Sequence, residues 1–467
     1  MHIYDSAKKA KVEFVPIKKD RVSIYVCGPT VYDDAHLGHA RSALSFDVLR
    51  RVLKELGYSV TFVKNFTDID DKIIKKMNES GKSLEEITSF YIKRYKEDMR
   101  ALNIEDADIE PKATESIQTI IEFIQNLSEK GAAYKTKSGI YFDTSKDDKY
   151  LSLSNRELDE SQYQARVEGD EDKKNIKDFA LWKFVKKGEV SYPAPFGEGR
   201  PGWHIECSAM IKEHLANKDE DFQIDIHAGG ADLLFPHHEN EAAQTRKESC
   251  TELAKYWLHN GFVTINGEKM SKSLNNSFFL KDTLKIYDGE IVRFYLIGTH
   301  YRSNINFNES DLLQSKKRLD KIYRLKSRLG AKEPKECGEK FKKEFLEALA
   351  DDLNISVALS VIDAMIAEAN DALDKNPKDD DLKGVFAANL ELVKRVLGIG
   401  EKDAGEYFRL GVSDDEKKTI EELIQDRLRA KRERDFAKAD AIREELAKMG
   451  IALMDSVEGT KWEKILE

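Results

Sequence analysis

Cysteine, proline and tryptophan are scarce in this sequence, and it has no long apolar run. The 467 residues include four cysteines, nine prolines and four tryptophans. Four scattered cysteines do not suit the disulfide framework of a small secreted protein, so we expect reduced thiols or metal ligands. No apolar stretch approaches the ~20 residues that a membrane-spanning helix requires. Residues 1–6 lack the apolar core of a secretory signal, so we expect a cytoplasmic protein with no membrane partner.

The charge balance limits the kinds of partner that the sequence suits. The formal net charge is −10 at pH 7, which argues against indiscriminate binding of nucleic acids. An RNA partner stays compatible with this charge, because it needs only a local basic face. Hydrophobic residues make up 40% and charged residues 35% of the chain, a balance typical of a globular protein rich in exposed helix. A chain of this length exceeds one hydrophobic core, so we expect several domains.

The order of strand-like and helix-like segments predicts an α/β fold: a Rossmann-type parallel-sheet catalytic domain with an insertion, then an α-helical bundle and a small C-terminal domain. The predicted segments are residues 1–110 and 201–265 for the two halves of the Rossmann domain, 111–200 for the insertion, 266–310 for a connector, 311–405 for the bundle and 406–467 for the C-terminal domain. In the bundle, Leu312, Leu319 and Ile322 begin a helical apolar spacing. Gly398–Gly411 is predicted to be a linker.

The first motif lies between a predicted strand and a predicted helix. Val22–Val26 predicts a buried strand, and Ala40–Leu56 has helical apolar spacing. His36-Leu37-Gly38-His39 then falls at a helix N-terminus, where backbone amides and the helix dipole favour a phosphate. Gly38 lets a flat ring approach the backbone, and both histidines can donate hydrogen bonds to phosphate oxygens. Taken alone, the motif is also typical of a helix start with two surface histidines.

The second motif, Lys269-Met270-Ser271-Lys272-Ser273, follows the strand-like run Gly261–Ile265. Two lysines flanking small hydroxyl residues on a loop suit a clamp for a triphosphate. A lysine-rich loop with no such function is the alternative for this motif alone. The two motifs, in this order and far apart in the chain, resemble the nucleotide motifs of class I aminoacyl-tRNA synthetases. The resemblance implies that His36, Gly38 and His39 bind ATP and that Lys269 and Lys272 hold its phosphates.

A candidate metal site begins with the predicted helix start Pro236–Glu241. Side chains four residues apart share a helix face, so His237 and Glu241 can bind one ion together. On the same geometry, His238 and Glu239 should point elsewhere. Two exposed histidines at a helix N-terminus are the alternative interpretation.

Cys27 and Cys207 extend this candidate site. Cys27 ends the first predicted strand and Cys207 precedes a resumed parallel strand, so both can reach the same edge of the sheet. Two thiolates, an imidazole and a carboxylate suit Zn²⁺ better than Ca²⁺ or Mg²⁺. Taken alone, Cys27 or Cys207 is also compatible with the role of a buried apolar residue. We expect that role for Cys250 and Cys337, which lack polar partners nearby in the sequence.

Five stretches together resemble the cysteinyl-tRNA synthetase family: Tyr25–Asp33, Asn65–Lys72, Gly199–Met210, Gly229–Glu241 and Lys269–Ser273. Asp455 and Gly459–Trp462 resemble the family's anticodon-binding end, so the resemblance covers nearly the whole chain. It implies ligation of L-cysteine to tRNA(Cys) through a cysteinyl-adenylate, with ATP, Mg²⁺ and one zinc ion per chain. The implied zinc ligands are Cys27, Cys207, His237 and Glu241.

The resemblance also implies residues around the substrates. Those of the cysteine pocket are Gly28, Thr67, Trp203 and Asp232, and the candidates for anticodon contact are Lys431, Arg443, Asp455 and Trp462. Thr67, with Asp68, is also a candidate cap for the helix that follows. Trp462 is also compatible with a packing anchor, and Arg443 with a surface ion pair between neighbouring helical turns.

Zinc has a chemical reason to be in such a site. Serine and cysteine differ by one atom, and selection by shape alone separates such close analogues only ~10–200-fold. A zinc ion binds a thiolate directly and has no comparable affinity for a neutral hydroxyl. A separate editing site then becomes unnecessary.

Three departures from the family pattern and two rival functions stay open at this stage. Leu37 replaces a commoner isoleucine, Asn275 stands where glycine usually follows the lysine loop, and Asn217–Phe222 is a long connection that should bulge at the surface. One rival is a cysteine ligase acting on an amino-sugar, which would not need the anticodon-reading end. The other is a non-catalytic, zinc-stabilised RNA-binding relic, which would not need intact ATP motifs. We expect a monomer.

Overall fold

The computed structural model describes residues 1–155, 172–186, 189–265, 268–269, 279–456 and 459–465. The chain divides into two compact units. The first unit consists of Met1–Lys316, Glu339–Met365 and Arg395–Ile399, and the second of Lys317–Gly338, Ile366–Lys394 and Gly400–Glu467. In the part of the chain that the structure describes, no helix is both long and apolar enough to cross a membrane.

The strands of the described residues belong to several separate sheets. They are β1 (His2–Asp5), β2 (Ala10–Glu13), β3 (Arg21–Val26), β4 (Ser59–Lys64), β5 (Ala133–Lys135), β6 (Gly139–Phe142), β7 (Phe179–Phe184), β8 (Gly199–Pro201), β9 (Phe222–Gly230), β10 (Glu252–Asn260), β11 (Val263–Ile265), β12 (Glu268–Lys269), β13 (Ile305–Phe307), β14 (Ile451–Ser456) and β15 (Gly459–Lys464).

The central sheet is parallel throughout, in the order β10-β9-β3-β4. This confirms the predicted Rossmann-type sheet and the predicted strand at 22–26. β10 was not predicted, because Lys255, His259 and Asn260 interrupt its apolar residues. The antiparallel sheet β5-β6-β7-β8 forms the predicted insertion.

The helices surround these sheets in the first unit and dominate the second. They are α1 (Leu37–Glu55), α2 (Asp71–Ser80), α3 (Leu84–Ala101), α4 (Ile117–Glu129), α5 (Trp203–His214), α6 (Glu239–Ser249), α7 (Leu280–Ile286), α8 (Gly289–Ile297), α9 (Glu309–Leu329), α10 (Glu339–Leu349), α11 (Ile355–Lys375), α12 (Asp380–Leu397), α13 (Ala404–Tyr407), α14 (Asp414–Arg432) and α15 (Phe436–Lys448). The predicted apolar spacing of the bundle is confirmed, since Leu312, Leu319 and Ile322 are buried along α9.

The segment Gly398–Gly411 is packed, so the prediction of a linker was wrong. It contains α13, and Tyr407 from that helix stacks on Tyr323 with ring centroids 3.7 Å apart. The Tyr407 hydroxyl donates to Asp320 Oδ1 at 2.7 Å. Gly398, Gly400 and Gly411 have positive φ and mark turns rather than a flexible connection.

A buried ion-pair network holds α1 in the first unit. Asp47 accepts hydrogen bonds from Arg51 Nε at 3.0 Å and Arg293 Nη2 at 2.6 Å, and all three side chains are buried. Arg293 also donates to the backbone carbonyls of Leu102 and Leu397. Arg51 also pairs with Glu105 at 3.7 Å, whereas Asp47 is the carboxylate that pairs with the buried Arg293, so the compensation of Arg293 depends on Asp47.

Replacing Asp47 with alanine should lower the free energy of unfolding by about 3–5 kcal/mol, because it leaves the buried Arg293 charge without its partner. Chemical denaturation followed by circular dichroism measures the loss. Lys75→Ala is the matched control, since its ion pair with Glu79 is exposed and 3.8 Å long. The control should cost less than ~1 kcal/mol. If Asp47→Ala costs no more than the control, the network does not stabilise the fold.

Candidate active site and metal centre

The first motif forms the start of α1, as predicted. His36 is the N-cap residue: its Nδ1 accepts hydrogen bonds from the backbone N–H groups of Gly38 at 3.1 Å and His39 at 3.3 Å. In return, His39 Nδ1 accepts from the backbone N–H of His36 at 3.3 Å, and the two rings stack with centroids 3.7 Å apart. Because each Nδ1 accepts a hydrogen bond, the proton of each neutral ring is on Nε2, which can donate to a phosphate.

A cavity of about 580 Å³ opens beside this helix start. Its lining brings together residues from both predicted sites: Cys27, Gly28, His36, Gly38, His39, Trp203 and Asp232. Thr67 is not part of the lining, because its side chain is buried next to Asn65. Neither Thr67 nor Asp68 caps α2: Asp70 does so, and Asp68 accepts from the backbone N–H of Thr114.

Gly28 has a packing reason to lack a side chain. A Cβ at this position would lie 1.6 Å from the backbone oxygen of Asn65, so any other residue would force β3 and β4 apart. The Gly28 N–H donates to Asn65 Oδ1 at 2.8 Å. Asn65 therefore fixes the floor of the cavity, a role that the sequence analysis missed.

The four predicted metal ligands converge in the structure. Cys27 Sγ and Cys207 Sγ are 3.8 Å apart, Cys207 Sγ lies 3.6 Å from His237 Nε2, and His237 Nε2 lies 3.0 Å from Glu241 Oε1. All four residues are buried, and one donor atom from each lies within 4.8 Å of the others. Two sulfurs held by one tetrahedral zinc at ~2.3 Å would be ~3.8 Å apart, so the donor set fits zinc.

The protonation of the cluster also suits a cation. Although burial opposes it, the hydrogen bond from Cys27 and the neighbouring His237 lower the pKa of Cys207 to about 6. Burial and the neighbouring Cys207 raise the pKa of Cys27 well above that of an ordinary thiol. Burial also opposes charge on Glu241, yet His227 and His237 lower its pKa to about 2. Although burial opposes it, Glu241 and Cys207 raise the pKa of His237 to about 10, so this ring balances part of their negative charge. A metal ion bound to a neutral His237 would supply that compensation instead.

Cys207 precedes the parallel strand β9, as predicted, but it reaches the cluster from inside α5. Only Cys27 comes from the end of a strand. α5 packs beside α6, and this helix pair delivers Cys207 and Glu241 to the end of β3. Helix packing of this kind leaves no local signal in the sequence.

The prediction for His238 was wrong. Its Nε2 lies 3.3 Å from Cys27 Sγ. Leu234–His238 is an irregular turn with extended backbone at Phe235, and α6 begins at Glu239. His227, missed by the sequence analysis, shares a hydrogen bond of 2.8 Å between its Nε2 and Glu241 Oε2. The sequence did contain one signal for His227, because it is a polar residue near the carboxyl end of a strand-like run. Glu239 points elsewhere as predicted, accepting from the backbone N–H of Ser154.

The other two cysteines differ from the expected buried apolar role. Cys250 is exposed, and the Cys337 thiol donates to Asn389 Oδ1 at 3.1 Å. The long connection before β9 is exposed at 218–221, as predicted.

The second motif is only partly described. Lys269 lies in β12, where its backbone pairs with Thr264 of β11, while Lys272 and Asn275 lie outside the described residues. Where the description resumes, Leu280 N–H donates to the Ala35 carbonyl at 2.8 Å, and Lys281 pairs with Asp34 at 2.6 Å. The segment after the motif is thus attached to the residues that precede α1.

Comparison with known proteins decides the family. Residues 13–317 match the model for the "tRNA synthetases class I (C) catalytic domain", 344–401 a "DALR domain" and 413–462 the "Cysteinyl-tRNA ligase anticodon binding domain". The chain is 63% identical over 467 residues to the cysteine–tRNA ligase of a Nitratiruptor species, with all of both chains covered. It is 62% identical over 465 residues to that of Aliarcobacter butzleri, covering 100% of this chain and 99% of the relative. The chain belongs to the cysteine–tRNA ligase family.

A solved structure supports the same fold for this ligase. Mycobacterium tuberculosis methionyl-tRNA synthetase in complex with methionyl-adenylate superposes with a TM-score of 0.61, covering 85% of this chain and 94% of that one at 15% identity. At that identity the likeness shows the fold alone. The full-length relatives and the match over 413–462 favour the ligase over the amino-sugar enzyme.

The predicted anticodon residues of the ligase occupy different environments. Asp455 accepts two hydrogen bonds from Arg427, both 2.9 Å long, and one from Lys431 at 2.8 Å, contacts that hold its pKa well below its usual range. Trp462 is 4% exposed in the core of this end of the chain, which favours the packing alternative. Arg443 is exposed, and no ion pair of its side chain is found among the described residues.

Two substitutions distinguish the four predicted zinc ligands from the histidines that lie beside them. Cys207→Ser should lower the affinity for zinc by more than ~100-fold, because it removes a ligand, whereas His238→Asn, which alters an outer contact, should cost no more than ~10–100-fold. Cys250→Ser is the control and should bind zinc like the wild type. Elemental analysis after dialysis against graded chelator measures all three. Retention of zinc by Cys207→Ser with loss in His238→Asn would instead support a site of Cys27, His227, His238 and Glu241.

Proposed function

We propose that Cys27, Cys207, His237 and Glu241 hold one zinc ion, which selects L-cysteine by its sulfur. The observation that carries this proposal is the convergence of four buried donor atoms beside a cavity that Cys27 itself lines. When bound, zinc supplies a Lewis acid that ligates a thiolate and discriminates against a neutral hydroxyl. Serine is then rejected by bond chemistry rather than by shape.

The remaining cavity residues would hold the rest of the amino acid. Asp232 lines the cavity and provides a carboxylate for the substrate ammonium group. Trp203, which is 40% exposed and stacks on His237 with ring centroids 4.2 Å apart, would cover the substrate side chain. Gly28 leaves space for it, and Thr67 supports that position from behind through Asn65.

The helix start would bind ATP. Gly38 allows the nucleotide to approach the backbone, and Nε2 of His36 and of His39 would donate to phosphate oxygens as negative charge develops there. Lys269, Lys272 and Mg²⁺ would add positive charge. The cysteine carboxylate attacks the α-phosphorus in line, the bond to the leaving pyrophosphate breaks, and cysteinyl-adenylate forms. A hydroxyl of the tRNA's terminal adenosine then attacks the carbonyl carbon, releasing AMP.

The C-terminal end would read the anticodon. Lys431 and Arg443 are at the surface and would contact RNA, while Asp455 and Trp462 would position the strands and helices that carry them. We infer that the ligase acts as a monomer in the cytoplasm.

The two roles of His36 can be separated by choice of substitution. His36→Asn keeps a side-chain acceptor for the Gly38 and His39 amides but loses the Nε2 donor, so pyrophosphate exchange should fall ~10²–10³-fold with little change in stability. His36→Ala should lose the same activity and also ~1 kcal/mol of stability. Exchange kinetics and thermal unfolding measure the two effects. Full activity in the Asn variant would mean that the imidazole serves only as a cap.

Cys27→Ser tests the zinc proposal on the substrate side. It should raise the KM for cysteine and lower the preference for cysteine over serine by more than it changes the KM for ATP, because only cysteine is expected to contact the metal. Cys250→Ser should change none of these quantities. Equal losses for cysteine and ATP in Cys27→Ser would indicate a damaged fold rather than a specificity site.

Transfer of labelled cysteine to unfractionated tRNA, with ATP and the purified protein, tests the whole proposal. We expect attachment to one tRNA species and rejection of serine. Pyrophosphate exchange without transfer would favour the amino-sugar ligase, and loss of both in folded, zinc-loaded protein would favour the RNA-binding relic.

A further inference from the structure

A series of cations and aromatic rings leads from the surface of α2 and α3 to the wall of the cavity. At its inner end, Tyr32 and Lys72 line the cavity, and Lys72 Nζ lies 5.4 Å from the centre of the Tyr32 ring. Lys76, one turn along α2, donates to the Tyr32 carbonyl at 2.7 Å and to the Tyr91 hydroxyl at 2.6 Å. Its Nζ also lies 4.3 Å from the centre of the Tyr91 ring. The inner part of the series thus joins α2 to α3 beside the cavity.

Phe90 and Arg94 form the outer end. The Phe90 ring meets Tyr91 edge to face with centroids 5.0 Å apart, and the Arg94 guanidinium carbon lies 5.5 Å from the centre of the Phe90 ring. Asp34 pairs with Arg94 at 2.6 Å and so fixes the guanidinium in place. Phe90 is 51% exposed, although a phenylalanine is usually buried. We name these six residues, Tyr32, Lys72, Lys76, Phe90, Tyr91 and Arg94, the cation–aromatic row.

We propose that the cation–aromatic row binds the single-stranded 3′ end of the tRNA and leads its terminal adenosine into the cavity. This inference rests on the proposed function, because the transfer step requires that a nucleotide chain enter there. Rings that stack on bases, interleaved with lysine and arginine that neutralise phosphates, are typical of surfaces that bind single-stranded nucleic acid. A double helix keeps its base faces inside the stack and cannot use the rings in this way.

The position of the row favours the tRNA end over a protein partner. One end opens into the cavity where the adenylate forms, so an occupant of the row is led to the reacting group. At the start of α2, Asp71 accepts from Lys183 Nζ at 2.7 Å and pairs with Arg200. These contacts attach the start of α2, next to Lys72, to β7 and β8 of the insertion. Lys76 lies 4.0 Å from Asp33 and Arg94 pairs with Asp34, so the row contributes positioned cations and exposed ring faces rather than a large net positive charge.

Phe90→Ala is the test, read by two assays on the zinc-loaded, full-length protein. Cysteine-dependent pyrophosphate exchange needs no tRNA and should be unchanged. The kcat/KM for charging tRNA(Cys) should fall roughly 5- to 100-fold, the loss expected when one stacked base loses its aromatic partner. Phe90→Trp should retain charging, because it keeps a ring. Val357→Ala, which truncates another exposed apolar residue, on α11, should change neither assay.

A truncated tRNA makes the test specific for the 3′ end. Phe90→Ala should weaken binding of intact tRNA(Cys) but not of tRNA(Cys) that lacks its unpaired 3′ nucleotides. Truncating the RNA and removing the Phe90 ring abolish the same interaction, so the second change adds nothing to the first. Equal weakening for both RNAs, or normal charging by Phe90→Ala, would overturn the proposal while leaving the ligase assignment intact. Absence of charging by the wild-type protein would instead overturn the proposed function.

Discussion

Two acidic groups buried side by side set the main physical constraint on this site. Cys207 and Glu241 are both fully enclosed, and their ionised forms are unfavourable there unless positive charge lies close by. Although burial opposes it, Glu241 and Cys207 raise the pKa of His237 to about 10, so this ring provides positive charge beside them. His227 is hydrogen-bonded to Glu241. A zinc ion would complete the compensation, and the 3.8 Å separation of the two sulfurs is the one that a shared tetrahedral ion requires. The cluster forms part of the cavity wall and lies where α5 packs on α6, and it is the site at which we propose that the substrate is selected.

The end of β3 connects this cluster to the nucleotide site. Within a few residues the chain places Cys27 in the cluster, Gly28 against Asn65 and His36 at the start of α1. Cys27 and the helix start at His36, Gly38 and His39 line the same cavity, so both proposed substrates would share it. The buried ion pairs of Asp47 with Arg51 and Arg293 hold α1 in place, so the orientation of the helix start depends on ion pairs as well as on apolar packing.

Sequence patterns succeeded where the physical cause is local. The β-branched run at 22–26, the spacing of apolar residues in α1 and α9, and the i,i+4 relation between His237 and Glu241 all depend on near neighbours in the chain. The same reasoning failed for β10, whose polar residues are accommodated by the sheet. It failed for His238 as well, because helix spacing does not show that β3 brings Cys27 within 3.3 Å of its ring.

The sequence by itself determined the family and the parallel α/β fold with its insertion, and it predicted the four residues of the candidate metal site, because motifs and short periodic patterns carry that information. Only the tertiary structure decided that Cys207 reaches the cluster from a helix, that His227 and His238 surround it, that Trp462 is buried and that a cation–aromatic row borders the cavity. These features depend on contacts between residues far apart in the chain. Such contacts form when helices and sheets pack, and no local pattern specifies them.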